Sequence, residues 1–362
     1  MASREPLDIC LLFGEKSGEL TAKRIIDALG SRYRIATLKG STIEEVETIL
    51  PVSALSVMGG WDMVQKLPTL IRARRTLERF ILERQPKIVV TIDFPDFHLG
   101  LVASLRKKGF RGKILHHVCP SIWAWRPKRK RTIVDNIDIL SCVLPFEPDL
   151  FQNGPPEAVF TGYPSSESGD RTGEQNHMLL FPGSREAEVL RLLPLFDRLL
   201  DPSIVISKWI CAGDATLIPL IERLLPRLSH SYQIAPPEMR FNLMKSAKFA
   251  LAKLGTNNLE LALHGVPTVT LYKLPWVDTF LANHIFKIHL PHYSIVNILA
   301  GRELFPEFLG PLLKPKIVAE TLLRFDQDHD LREWIRRDLA YLTQKLLVTP
   351  KITLPELIAQ NI

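Results

Sequence analysis

The chain has 362 residues, of which 46% are hydrophobic and 23% are charged. The length predicts two domains, and the composition excludes a disordered or fibrous protein. The formal net charge of +7 favours an anionic partner, which leaves nucleic acid, an acidic lipid surface and a phosphorylated ligand open.

Short apolar runs alternate with amphipathic segments along the chain, which predicts parallel strands joined by crossover helices in an α/β fold. The apolar runs of the first half predict strands at residues 7–13, 33–38, 87–92, 113–118 and 137–144. The second half predicts strands at 178–181, 205–210, 248–251 and 268–272, and helices at 187–200, 217–228 and 258–264.

A polar stretch without apolar periodicity, residues 165–176, is the predicted linker. We therefore expect one Rossmann-like domain over residues 1–164 and a second over 177–344. A C-terminal helix over about 345–362 is expected to pack back onto the first domain.

The sequence indicates a cytoplasmic protein. The four cysteines, at positions 10, 119, 142 and 211, have neither a C-x-x-C pair nor a zinc spacing, and this pattern is typical of reduced thiols. His284, His289 and His292 are not spaced to share a helical face, so we expect no metal site. We expect no cofactor either. The short apolar run 9–13 is not a signal peptide, and no run reaches the ~18 apolar residues of a membrane span.

The first strand runs into Gly14, Glu15, Lys16, Ser17 and Gly18, a strand–turn–helix junction whose glycines let the backbone approach a ligand. Neither a dinucleotide fingerprint nor a phosphate-binding P-loop is present. Glu15 is therefore interpreted as a contact to a sugar or hydroxyl group. A plain turn with Ser17 as helix cap is the alternative.

The third predicted strand ends in Asp93 and Asp96, at the edge where open α/β sheets bind ligands. We expect Phe94 and Phe97 to desolvate Asp93, which would make its carboxylate more basic than a carboxylate in water. Such a group is suited to act as a general base that removes a proton from an alcohol. Asp96 is expected to cap the next helix, and the same capping role is the alternative for Asp93.

Two loops of the second half carry groups suited to phosphates. Ser184 and Arg185 follow a strand, and the Arg185 guanidinium fits phosphate oxygens. Gly255 and Thr256 form a second turn, after which Glu260 can accept hydrogen bonds from ribose hydroxyls. A solvated Arg185 and a simple helix cap at Thr256 are the alternatives.

Residues 101–133 contain ten Lys or Arg and no acid, and Trp123 and Trp125 lie among them. This run predicts a basic face, whose use as a nucleic-acid patch, a membrane-surface patch or a solvated helix face stays open.

Eight collinear motifs resemble those of the lipid-A-disaccharide synthase family, and residues 279–310 resemble its chlamydial branch. The motifs are Gly-Glu-Lys-Ser-Gly at 14–18, Val-Met-Gly at 57–59, Ile-Asp-Phe-Pro-Asp-Phe at 92–97, Pro-Ser-Ile-Trp-Ala-Trp-Arg at 120–126, Leu-Pro-Phe-Glu at 144–147, Pro-Gly-Ser-Arg at 182–185, Gly-Thr at 255–256 with Leu-Glu at 259–260, and Asn-Ile-Leu-Ala-Gly-Arg at 297–302.

The resemblance implies a GT-B fold, in which two Rossmann-like domains have parallel sheets facing a central cleft. It implies an inverting glycosyltransferase that joins UDP-2,3-diacylglucosamine to 2,3-diacylglucosamine 1-phosphate, forming a β-1,6-linked disaccharide and UDP. Another UDP-sugar enzyme of this fold, such as an epimerase, and a nucleic-acid-binding protein are the alternatives.

The resemblance also implies site residues. Asp93, as general base, and Glu15 form the catalytic set. The UDP-sugar is assigned to Ser184, Arg185, Gly255, Thr256, Glu260, Tyr272 and Asn297. The acceptor or membrane surface is assigned to Ser17, Met58, Trp123, Trp125, Arg126 and Arg129.

The expected partners are the donor, the acylated acceptor and the anionic inner-membrane surface, without nucleic acid, and a homodimer is left open. Four positions depart from the family pattern: Glu19 replaces Asp, Tyr163 replaces His, Leu254 replaces Ser and Val296 replaces Pro.

Overall fold

The computed structural model describes residues 7–14, 16–43, 46–55, 60–123, 126–152, 154–163, 173, 176–272, 291–310 and 313–362, with the backbone alone at 16, 17 and 60–66. The chain divides into two compact units. Unit 1 comprises Met1–Pro164 and Leu347–Ile362, and unit 2 comprises Ser165–Leu346.

Unit 1 contains a seven-stranded parallel sheet in the order β3-β2-β1-β4-β5-β6-β7. Its strands are β1 (Ile9–Phe13), β2 (Ile35–Lys39), β3 (Glu47–Pro51), β4 (Ile88–Ile92), β5 (Lys113–His117), β6 (Ile139–Cys142) and β7 (Glu157–Phe160). The strand order reverses between β1 and β4, so the switch point of this sheet lies there. The crossover helices are α1 (Lys16–Leu29), α2 (Gly60–Arg84), α3 (Pro95–Lys107) and α4 (Arg129–Asn136).

Unit 2 contains a six-stranded parallel sheet in the order β10-β9-β8-β11-β12-β13. Its strands are β8 (His177–Phe181), β9 (Ser207–Cys211), β10 (Gln233–Ala235), β11 (Phe249–Lys253), β12 (Thr268–Tyr272) and β13 (Glu307–Leu309). Here the order reverses between β8 and β11. The helices are α5 (Glu186–Leu199), α6 (Ile218–Leu224), α7 (Arg240–Met244), α8 (Asn257–Leu263), α9 (Ile295–Ala300), α10 (Pro315–Gln327) and α11 (His329–Leu346).

The prediction of two Rossmann-like α/β domains is confirmed. The central strands were predicted because both of their faces are buried, which makes them continuous apolar runs; β1, β4 and β8 are buried along their whole length. The strands that were not predicted, β3, β7, β10 and β13, are the edge strands of the two sheets, and they are only partly buried. The helix expected at 217–228 ends at Leu224, and a 3₁₀ turn with Pro226 follows it.

After the last residues of α11, the segment expected as a C-terminal helix over about 345–362 is helical only in its second half. Helix α11 ends at Leu346, and a separate helix, α12 (Leu354–Ala359), begins after Pro350 with a capping box between Thr353 and Glu356. Helix α12 contacts α1 and belongs to unit 1. Its Leu354, Leu357 and Ile358 are buried in the core of that unit. Over the part of the chain that the structure describes, no helix is long and apolar enough to cross a membrane.

Substitution of Ile358 by Ala tests this docking. Ile358 is fully buried, so the change should lower the free energy of unfolding by about 2–5 kcal/mol through lost contacts and a cavity. Val348→Ala is the control in the same segment; because Val348 is 49% exposed, its effect should stay within about 0.5 kcal/mol. Urea unfolding would measure both, and equal stability of the two variants would contradict the packing.

Candidate active site

The first candidate site lies at the switch point of the unit 1 sheet. Strands β1 and β4 are paired with Phe13 opposite Ile92, so the turns that follow them leave the same carboxyl edge side by side. Open α/β sheets bind ligands at this place. Gly14 begins one turn, and Asp93 and Phe94 begin the other.

The Phe94 ring occupies the space that a side chain at Gly14 would fill. A Cβ atom built on Gly14 would lie 2.6 Å from Phe94 Cγ, which is closer than van der Waals contact allows. Glycine is therefore required here for close approach, because Gly14 itself has no positive φ angle. The two turns are locked together by this contact.

Asp93 and Phe94 both adopt the left-handed backbone conformation, with φ angles of 47° and 52°. Such residues cost about 1–3 kcal/mol each and persist only where their surroundings hold them. The Asp93 N–H donates to the His117 carbonyl at 2.9 Å. The Asp93 carbonyl accepts from His98 Nδ1 at 2.6 Å, so His98 carries its proton on Nδ1.

The Asp93 side chain is exposed, which corrects the expectation that Phe94 and Phe97 desolvate it. The two rings stack on each other instead, with centroids 5.6 Å apart and planes 16° apart. The two rings therefore pack against each other, and Phe94 also packs against Gly14. In this structure the carboxylate stands at the edge of the sheet in contact with solvent.

Three buried histidines lie beneath this edge. His116 Nδ1 is 2.7 Å from Thr91 Oγ1, and His117 Nδ1 is 2.8 Å from Ser141 Oγ. Burial lowers the pKa of His98 and of His117 to about 4, and burial together with the neighbouring histidines lowers the pKa of His116 well below its ordinary value. All three are neutral at physiological pH and serve as hydrogen-bonding groups of the scaffold.

The ten basic residues of 101–133 do not form an acid-free face, because the fold brings acids to them from elsewhere. Asp96 accepts from Arg126 Nη1 at 2.6 Å and also from Arg129. The other ion pairs join Arg106 to Asp138, Lys108 to Glu78, and Arg131 to Asp135. Arg129, whose side chain is 13% exposed, is held against Asp96 and is not a free surface cation. Asp96 makes these ion pairs in the first turn of α3, whose N-cap residue is Phe94.

Trp123 does not present its indole N–H to the surface. It donates to Glu147 Oε1 at 3.2 Å and packs edge-on against Phe146. Glu147 is buried, and its Oε2 accepts from the backbone N–H groups of Val143 and Leu144. Burial raises the pKa of Glu147 to about 7.

The thiols of Cys119 and Cys142 lie beside Glu147, with the three potential ligand atoms within 4.8 Å of one another. Thiolates bind zinc, but a hydrogen bond with Cys142, together with burial, raises the pKa of the Cys119 thiol. Both carboxylate oxygens of Glu147 already accept hydrogen bonds from the protein. We therefore interpret these three side chains as structural groups of a buried turn and not as metal ligands.

The second candidate site lies at the switch point of the unit 2 sheet. Phe181 of β8 pairs with Ala252 of β11, so the loop Pro182–Arg185 and the segment from Lys253 to Thr256 leave the sheet together. The Gly255 N–H donates to Asn258 Oδ1 at 2.7 Å. Thr256 is exposed and makes no side-chain cap hydrogen bond, which disfavours the simple helix cap as its role.

Glu188 organises this edge. Its Oε2 accepts from the Ser184 N–H at 3.1 Å, and its Oε1 accepts from Lys253 Nζ at 2.6 Å. Arg185 Nη1 lies 4.0 Å from the same Oε1. Gly183 has a φ angle of 126°, and a Cβ atom there would lie 2.7 Å from Glu188 Cβ, so only glycine fits. The Lys253 ammonium lies 5.5 Å from the centre of the Tyr272 ring.

Glu260 lies on α8 with its side chain 13% exposed. Arg240 Nη2 donates to its Oε1 at 3.2 Å, whereas its Oε2 is buried and has no hydrogen-bond partner within the described ranges. Burial raises the pKa of Glu260, and Arg240 opposes this. An unpartnered buried acceptor is suited to a ligand hydroxyl.

Asn297 was predicted to bind the UDP-sugar, and its hydrogen bonds in the structure correct this expectation. Its side chain is buried and fully used inside unit 2: Nδ2 donates to the Phe305 carbonyl and to Glu307, and Oδ1 accepts from the N–H groups of Leu304 and Phe305. An amide has two donors and two acceptor positions, so none remains for a ligand. Asn297 holds the turn before β13.

Several predicted residues lie outside the described residues: Glu15, Met58, Trp125, His284 and His289. For Ser17 only the backbone is described, and of the predicted linker only residues 173 and 176 are. His98, Glu188 and Lys253 were not predicted as site residues. Only Lys253 had a signal in the sequence, as a charged residue at the end of an otherwise apolar strand.

The fold is that of the GT-B class. MurG of Acinetobacter baumannii matches with a TM-score of 0.56 and 12% identity, covering 98% of this chain and 100% of MurG. The structure of S. aureus MnaA with UDP matches with a TM-score of 0.55 and 11% identity, covering 97% of this chain and 92% of that chain.

The sequence comparisons give the family. The Lipid-A-disaccharide synthetase family profile matches residues 9–347. The lipid-A-disaccharide synthase of Chlamydia muridarum is 36% identical over 341 residues, which is 86% of this chain and 56% of that protein. That of Gluconobacter oxydans is 34% identical over 361 residues, which is 93% of this chain and 86% of that protein.

This chain belongs to the lipid-A-disaccharide synthetase family, as its motifs indicated. It spans between about half and three fifths of the length of its chlamydial relatives.

The contact between Gly14 and Phe94 is tested by Gly14→Ala. The added methyl group must displace the Phe94 ring, so we expect a loss of about 1–3 kcal/mol in the free energy of unfolding. Gly100→Ala is the control: Gly100 lies inside α3, where a methyl group would meet only the Arg74 guanidinium at 3.2 Å, so it should be neutral or gain up to ~1 kcal/mol. Urea unfolding compares them, and an unaffected Gly14→Ala variant would contradict the close approach.

The buried histidines should make the protein less stable in acid. The pKa of His98 and His117 falls from 6.5 to about 4 on folding, so their stabilising contribution is complete above pH 6.5 and is lost as the pH falls towards 4. Each contributes a slope of at most ~1.4 kcal/mol per pH unit. Glu147 acts in the opposite direction, because its raised pKa makes it stabilising below 4.5 and progressively less so towards pH 7. The melting temperature should therefore fall from pH 6.5 to 4.5.

Glu147→Gln supplies the control for this pH dependence. Glutamine does not titrate, so the opposing contribution disappears and the decline in acid should become steeper. Melting curves recorded by circular dichroism at constant ionic strength would measure both slopes. A melting temperature that rises on acidification would show that the histidines are not held neutral.

Proposed function

We propose that this chain is an inverting glycosyltransferase that joins UDP-2,3-diacylglucosamine to 2,3-diacylglucosamine 1-phosphate. The exposed carboxylate of Asp93 on a strained turn at a switch point is the observation that carries the proposal. In this reaction the acceptor 6-hydroxyl oxygen attacks C1 of the donor sugar, and Asp93 takes the hydroxyl proton.

The held backbone suits this task. Asp93 and Phe94 are fixed from three directions, by Gly14, His98 and His117, so the carboxylate projects from a turn that has little freedom. Positioning a base in advance lowers the entropic cost of reaching the transition state. Substrate that covers this edge would supply the desolvation that the free protein lacks and would make the base stronger.

We assign the UDP-sugar to the switch point of unit 2. Ser184, Arg185, Gly255 and Thr256 stand at its edge, where they can meet the diphosphate, and Tyr272 ends the neighbouring strand β12. The unpartnered Oε2 of Glu260 is suited to a ribose hydroxyl. Inversion requires charge stabilisation of the departing UDP, for which Arg185 is the proposed group.

We further propose that unit 1 meets the anionic inner-membrane surface from the cytoplasmic side, since both substrates carry acyl chains. The exposed cations Lys107, Arg111, Lys128 and Lys130 support this, because Lys and Arg are attracted to anionic lipid. The paired Arg126 and Arg129 contribute less, since Asp96 already offsets their charge.

Asp93→Asn tests the base. The amide keeps the size of the side chain but cannot accept the proton, so kcat should fall by about 10²–10⁴ while affinity for UDP stays unchanged. Mass spectrometry of the disaccharide product measures turnover and separates transfer from epimerisation of the donor, and calorimetry measures UDP binding.

Asp96→Asn is the matched control, a carboxylate three residues further along whose partners are Arg126 and Arg129. It should lower turnover far less than Asp93→Asn. Full turnover by Asp93→Asn, or a greater loss of turnover in Asp96→Asn than in Asp93→Asn, would contradict the proposal that Asp93 is the base.

A further inference from the structure

We propose that Lys253 binds the diphosphate of the nucleotide donor and that Glu188 positions its ammonium group for this purpose. This inference rests on the proposed function, which places the donor at the switch point of unit 2. It adds a cation that the eight motifs do not include.

Lys253 lies at the carboxyl end of β11. Ala252 is level with Phe181, the last residue of β8, so Lys253 is level with the start of the loop Pro182–Arg185. It ends β11 beside the switch point, on the edge where nucleotides bind in such sheets. Its side chain is only 20% exposed, so the ammonium is held near the protein and does not reach into bulk water.

Two cationic side chains lie around one oxygen of Glu188. Its Oε1 accepts from Lys253 Nζ and lies 4.0 Å from Arg185 Nη1, and its Oε2 accepts from the Ser184 N–H. An ammonium and a guanidinium side by side are suited to an anionic ligand that offers several oxygens, such as a diphosphate.

The Lys253 ammonium has enough hydrogen-bond donors to serve Glu188 and a ligand together. Lys253 has three N–H donors; Glu188 takes one at 2.6 Å and the Tyr272 ring face lies 5.5 Å away. The remaining donors can meet phosphate oxygens without breaking the ion pair. Glu188 then aims the ammonium, and its carboxylate keeps the side chain in one rotamer.

The role in the reaction follows from charge balance. When the acceptor oxygen bonds to C1 of the donor sugar, the bond from C1 to the β-phosphate oxygen breaks and its electron pair leaves with UDP. The acceptor proton goes to Asp93, and the new negative charge develops on the β-phosphate. A preorganised cation at that oxygen stabilises the transition state. Lys253 would share this task with Arg185.

A purely structural ion pair would have the same contacts, so the test must separate the two roles. Lys253→Met should weaken binding of UDP by about 10- to 100-fold and leave binding of uridine unchanged, because only UDP carries the diphosphate. Lys253→Arg should restore part of the UDP affinity. Calorimetric titration with uridine, UMP and UDP gives the three affinities.

Lys248→Met is the matched control, because Lys248 directly precedes β11, at the end opposite to Lys253. Lys248 Nζ donates to Asp326 at 2.7 Å, and its side chain is 16% exposed, so the two lysines are alike in burial and partner. Its loss should leave UDP affinity unchanged. The double variant Lys253→Met with Glu188→Gln removes the unpaired carboxylate, and it should show the same selective loss of UDP binding.

The outcomes are distinct. Equal affinity of the wild type and Lys253→Met for UDP would overturn the role of Lys253, as would an equal loss of uridine and UDP, which marks a collapsed pocket. Failure of the proposed function looks different, because the wild-type protein itself would then not bind UDP more tightly than uridine.

Discussion

The packing of the Phe94 ring against the bare backbone of Gly14 fixes the geometry of the unit 1 edge. Because no side chain stands at Gly14, the ring can lie across the end of β1, and the backbone before it must turn through the left-handed region to put it there. That turn is what makes Asp93 project from the sheet. The strain is held by hydrogen bonds from His98 and to His117, which are themselves buried and neutral.

The edge of unit 2 is built on a different principle. No left-handed residue other than Gly183 marks its loop within the described part of that unit's switch point, and the organising group is a single carboxylate, Glu188, that gathers a backbone N–H and two cations. One edge thus presents an acid on a strained turn, and the other presents cations around an acid. The first suits proton removal, and the second suits binding of a phosphate.

Much of the fold followed from the sequence because central strands of parallel sheets are buried on both faces and read as continuous apolar runs. Edge strands have one exposed side, so β3 and β13 carry no such run. Candidate site positions could be named where a motif follows a predicted strand, and the structure has Asp93 and Arg185 at the carboxyl edges of their sheets. Contacts between distant segments could not be predicted. The partners of Arg106 and Lys108 lie outside residues 101–133, and no local sequence pattern indicates that Asn297 forms its hydrogen bonds with the turn at 304–307. The hydrogen bond from Trp123 to Glu147, 24 residues away, was missed for the same reason.

The return of α12 to unit 1 makes that unit discontinuous in the chain, whereas unit 2 is one continuous stretch. During synthesis the ribosome therefore releases all of unit 2 before the residues that complete the core around α1 are available. Until Leu357 and Ile358 emerge, α1 has an uncovered apolar face. Of the two units, the one whose synthesis starts earlier is therefore completed later, and its apolar surface stays open to aggregation for longer.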